Sequence, residues 1–164
     1  MKKLKTTLFI MTFICAISLY AQTSNIEGID FPDELSINDE TFILNGGGLR
    51  EKLGFLDLYV GGLYLSKNSN DANQIVMSDN PMAIRIVIAS RLVSRDRFIE
   101  ALEEGFKNTT VGKYTSMEIE IFKEYLSDPF ELNDEIMLVY SSEEQSTYLY
   151  KNNEILLYFH IHPS

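Results

Sequence analysis

The period of the apolar positions changes several times along the chain, and each change marks an element. Met82–Ala89 alternates, with Ile84, Ile86 and Ile88 on one side and Arg85 and Val87 on the other, which predicts a half-buried strand. Further extended runs are Ile26–Phe31, closed by Pro32, and Leu35–Leu44, in two pieces around Asn38-Asp39. Leu49–Leu65 predicts two strands joined near Gly54, and Ile136–Tyr140, Thr147–Tyr150 and Ile155–Phe159 predict three more. The last two are expected to meet in a hairpin at Lys151-Asn152-Asn153-Glu154. Helical spacing replaces alternation after Ser94, where Phe98, Ala101, Leu102 and Phe106 recur on one face as far as Lys107. Thr115-Ser116-Met117-Glu118 has the pattern of a capping box and opens a second helix to about Leu126, with Met117, Ile121, Phe122 and Tyr125 expected to face inward. A shorter helix, capped within Ser69-Asn70-Asp71, reaches about Ser78. Strands interrupted by a block of helices, with no repeat or low-complexity linker, predict one α+β domain over residues 22–164.

The first twenty-one residues stand apart. Lys2, Lys3 and Lys5 precede an apolar run from Leu8 to Tyr20 that ends at Ala21-Gln22. A basic start, a short apolar stretch and a small residue before polar sequence make a secretory signal peptide. The run has about thirteen residues, against the roughly twenty that a spanning helix needs. Export to the periplasm with cleavage near Ala21 is the expectation, and no stable membrane insertion afterwards. Ile14 is too bulky for lipoprotein processing at Cys15, so lipidation is not expected.

Charge and composition then narrow the function. The chain has 164 residues, formal charge −10 and 45% apolar residues, enough to build a core. Removing three lysines and no acid with the leader takes the charge to −13. So acidic a chain is a poor partner for nucleic acid or for anionic lipid, both of which need a cationic surface. The only cysteine leaves with the leader, which excludes disulfides and thiol catalysis. No Walker pattern or Gly-x-Ser-x-Gly elbow is present, and no cofactor is expected. His160 and His162 are the only histidines; two imidazoles fall short of the three or four ligands a metal needs, so no metal site is assigned.

Leu44-Asn45-Gly46-Gly47-Gly48-Leu49-Arg50 carries the most information, together with Leu58-Tyr59-Val60-Gly61-Gly62-Leu63-Tyr64-Leu65. The glycines allow a turn, a strained backbone or a close approach of chain or ligand. Arg50 follows them into an apolar strand. It points either to solvent or into a pocket, where its permanent charge requires a carboxylate, phenolate or phosphate partner.

At these residues the chain resembles the chalcone isomerase-like family, especially its short exported bacterial branch. That branch carries a glycine-rich turn ending in arginine, like Leu44–Arg50, and a strand like Leu58–Leu65. Its isoleucine-rich strand corresponds to Ile84–Ile88, and its helix of the form Phe-x-x-Ala-x-x-x-Gly-Phe to Phe98–Phe106. Asp134-Glu135-Ile136 and Tyr148–Glu154 resemble its late strands, so that the ordered match covers roughly residues 40 to 157. The resemblance implies an open-faced antiparallel β-sheet with helices packed on one face and an apolar cleft between the layers. It also implies a domain shortened at its C-terminus, since relatives continue into a closing helix where this sequence ends at Ser164.

For the site, the resemblance implies that Arg50 holds an anionic oxygen. The other positions of an isomerase are not matched: Tyr59 stands for a threonine, Val93, Ser94 and Arg95 occupy the region of a helix tyrosine, and the helix asparagine has no counterpart. No catalytic residue is therefore assigned. The leading expectation is a non-catalytic binder of a small amphipathic molecule, fatty-acid- or phenol-like, held by Arg50 with Tyr59 or Tyr64 donating a hydrogen bond. The alternatives are an isomerase or lyase acting on an enone-like substrate, and a ligand-free interaction module of the envelope.

Overall fold

The computed structural model describes residues 22–52, 56–108 and 116–160. Strands β1 (Thr23–Ile26) and β2 (Ile29–Pro32) form a small hairpin. Seven strands follow in one antiparallel sheet whose spatial order is the chain order: β3 (Glu34–Ile37), β4 (Glu40–Lys52), β5 (Leu56–Leu65), β6 (Met82–Ile88), β7 (Glu135–Ser141), β8 (Ser146–Lys151) and β9 (Glu154–His160). Helix α1 (Ala72–Met77) lies between β5 and β6, and α2 (Arg95–Asn108) and α3 (Ser116–Tyr125) between β6 and β7. The expected α+β sheet with helices on one face is the fold observed. Among the described residues no helix is long and apolar enough to cross a membrane.

Three tight turns set the strand register. Asn38-Asp39 has φ of 51° and 64°, Asn152-Asn153 has 50° and 68°, and Glu27-Gly28 has 49° and 83°. Two successive left-handed residues match the twist of a hairpin, and asparagine, aspartate and glycine adopt that conformation at least cost. The third turn divides what the alternation predicted as one strand, Ile26–Phe31, into β1 and β2. Of the two readings of Asn45–Gly48, a turn or a strained strand entry, the strand is the one observed, since the segment runs inside β4. The register slips between Leu44 and Gly46. Asn45, the residue at the slip, exchanges hydrogen bonds of 2.9 and 2.8 Å with the Ser69 backbone, tying β4 to the segment before α1.

The sheet buries both faces. On one, Phe98, Ile99 and Ala101 of α2, Phe122 of α3, and Leu126 and Phe130 beyond it pack on Ile86, Ile88, Ile136 and Leu149. Each such side chain contributes about 1.5–3 kcal/mol on burial. Helix α3 turns Phe122 inward as expected and Leu126 just beyond it is buried too, whereas Met117, 72% exposed, and Tyr125 face solvent instead of the core. Arg95 holds the end of α3, donating from Nε to Leu126 O and from Nη2 to Lys123 O, both at 2.8 Å. Those carbonyls are the groups a helix end leaves without internal partners.

The hairpin β1–β2 covers part of the other face, seating Phe31 against Phe42, Val60, Tyr64, Ala83 and Val87. Gly47 and Gly62 oppose each other across β4 and β5 beneath it. A Cβ on Gly62 would lie 2.7 Å from Phe31 Cδ1, and one on Gly47 2.6 Å from Ile26 Cδ1, so absent side chains make the room. Arg85 reinforces the seat. It pairs with Glu135, donates to Asp30 O at 3.1 Å and lies 4.8 Å from the Phe31 ring centre.

Candidate ligand-binding site

On the helix-facing side, β4 and β5 present three successive rungs: Arg50 opposite Tyr59, Gly48 opposite Gly61, and Gly46 opposite Leu63. Strand β6 extends them with Ile88, Ile86 and Ile84, paired to Tyr59, Gly61 and Leu63. Helix α2 reaches the first rung. Its Phe98 ring lies 5.7 Å from Tyr59, and Glu104 Oε2 lies 3.5 Å from Arg50 Nη2. Burial pushes the Tyr59 phenol above its usual pKa of 10.0, opposed by the nearby Arg50 charge, so the hydroxyl is protonated at neutral pH. It bonds to no described side chain or backbone group and remains available as a donor. Arg50 and Glu104 are about half exposed, at 47% and 50%, an ion pair open to solvent and to competition.

Beyond the first rung the surface is open. A Cβ added to Gly46 or Gly48 would meet nothing within 4 Å, and one on Gly61 only Tyr59 Cε2 at 3.9 Å. Ile84 at the far end is 38% exposed. From the Tyr59 rung to the Leu63 rung the strip runs roughly 13 Å, at the usual rise per strand residue. Arg50 thus stands at the covered end of a shallow apolar strip rather than deep in a closed chamber. Four cavities lie elsewhere, including one of about 350 Å3 enclosed by the β5–α1–β6 segments, and none of the four is lined by Arg50 or Tyr59.

The structure therefore unites Arg50 and Tyr59 and separates Tyr64 from them. Tyr64 faces the hairpin side, fully buried, and donates to Pro32 O at 2.9 Å. Burial raises its phenol to about 12, partly offset by Arg85. Val93 is buried, Ser94 Oγ accepts from Arg97 N at 3.4 Å, and Arg95 is committed to α3. His162 lies outside the described residues, and among those described no group of three His, Cys, Asp or Glu is placed to hold a metal ion. Glu104 is the site residue that pattern reading missed. It belongs to an exposed helix face, and only the crossing of α2 over β4 brings it to Arg50.

The sequence profile described as chalcone isomerase-like matches residues 23–157. The chain belongs to the chalcone isomerase-like family. Among solved structures, it is similar to a fatty-acid binding protein of Arabidopsis thaliana, with a TM-score of 0.63 and 20% identity over 86% of this chain and 83% of that one. At that identity the likeness is one of fold. No curated protein matches the sequence significantly.

Proposed function

We propose that this protein is an exported, non-catalytic member of the chalcone isomerase-like family that binds a small amphipathic acid on the helix-facing side of its sheet. The acid pairs with Arg50 and accepts a hydrogen bond from Tyr59, while the apolar part lies along the open strip. The observation that carries this reading is the Arg50–Tyr59 rung, a permanent cation beside a protonated, uncommitted phenol at the head of an apolar surface. A fatty-acid binding protein of the same fold supports the choice of ligand class. The basic and apolar leader, residues 1–21, supports export to the periplasm with cleavage near Ala21.

Enolate chemistry on an enone would need further donors around the oxyanion. The positions that would supply them hold a buried valine, a serine whose Oγ accepts from Arg97 N at the start of α2, and an arginine holding α3. The half exposure of Arg50 favours a second reading, a ligand-free module whose arginine meets an acidic partner in the envelope. Native mass spectrometry of the purified protein distinguishes the two. A co-purifying or added fatty acid is expected on the wild type and lost from Arg50→Ala at unchanged melting temperature. Equal retention by both proteins refutes the role of Arg50, and no lipid on either favours the interaction module.

A further inference from the structure

Resting on the reading of Arg50 as the acid anchor, we infer that Gly48 and Gly61 select the alkyl chain this protein accepts, their missing side chains forming the floor along which the tail runs. The two face each other one rung beyond Arg50 and Tyr59. Their neighbours Gly47 and Gly62 form the next pair but face the other way, and there the chain fills the vacated space itself with Ile26 and Phe31. On the helix-facing side no described side chain does so. The same glycine-rich segments thus empty both faces of the sheet, and among the described residues only one face is refilled by protein.

The character of the floor defines its occupant. Gly46, Gly48, Gly61, Leu63 and Ile84 carry no polar side-chain atom, and β4 and β5 are paired along this stretch. A sugar or peptide laid there would lose hydrogen bonds to water without replacement. A saturated chain loses nothing and gains apolar contact. Arg50 and Glu104 put a charged pair on the first rung, and among the described residues no ion pair involves the Leu63 and Ile84 end of the strip, so the head of the chain is acidic and its far end apolar.

The test is a homologous series of saturated acids from hexanoate to palmitate, with affinities measured on the full chain by calorimetry. For the wild type, affinity is expected to rise by up to about fourfold per added methylene until the strip is filled. Gly61→Val places a residue well suited to a strand on the floor and should flatten that slope. Gly48→Val is the second variant should the first fail to fold. Arg50→Ala should instead weaken every acid by a similar factor and keep the slope. An unchanged slope in the folded valine variants, or no slope in the wild type, overturns the floor; if Arg50→Ala leaves all affinities unaltered, the anchor is what fails.

Discussion

Arg50 pairs with Glu104, and the pair is half exposed. On the proposed reading the Glu104 carboxylate would compete with the acid of the ligand. Exposed ion pairs are worth only up to about 1 kcal/mol, so an incoming carboxylate supported by apolar contact can displace this one. Glu104→Gln should therefore bind acids about two- to fivefold more tightly while leaving a fatty alcohol of equal length unaffected, as competition with a fluorescent acid would show. Weaker acid binding by this variant would mean that Glu104 orients Arg50 rather than competing for it. Tyr59 completes the pair differently: burial keeps its proton in place, so that it donates rather than repels. Tyr64, five positions after Tyr59 and no less plausible from the sequence, spends its hydroxyl on Pro32.

At the scale of elements, most of the sheet was legible because alternation and turn residues agree. Ile84, Ile86 and Ile88 mark one face of β6, and Asn38-Asp39 and Asn152-Asn153 mark two hairpins. The glycine run was not legible in the same way, since a residue without a side chain carries no periodicity. Only the three-dimensional pairing shows that Gly47 and Gly62 make room for Phe31 and Ile26 while Gly48 and Gly61 leave the opposite face open. Glu104 stayed hidden because only the tertiary placement of α2 brings it to Arg50, which no local pattern encodes. Met117 and Tyr125 of α3 were misjudged because they satisfy helical spacing as well as the buried Phe122 and Leu126 do. The glycine assignment has a direct measure in chemical denaturation. Gly62→Ala should destabilise by about 1–3 kcal/mol through its clash with Phe31, whereas Gly48→Ala should be neutral or slightly stabilising. Equal effects of the two would contradict the facial assignment.

For the whole molecule, the order of the strands bears on how the chain folds. Within the seven-stranded sheet each strand pairs with its neighbours in the chain, so most hairpins can close locally. The β5–β6 pair closes over residues 66–81 and α1, and the widest gap is between β6 and β7, whose partners are separated by residues 89–134 and the helices within them. Closing that loop must be completed before the native contacts across it can stabilise anything, which makes it the natural barrier to folding. Ile136→Val in β7, costing about 1 kcal/mol, should mainly slow refolding, while Leu157→Ala in β9 should mainly hasten unfolding. Stopped-flow kinetics in denaturant would separate the two limbs, and the reverse pattern would place the nucleus in the terminal hairpin. A sheet assembled in chain order thus has its widest seam between β6 and β7, and a newly made chain would expose its isoleucine-lined strands to aggregation until that seam has closed.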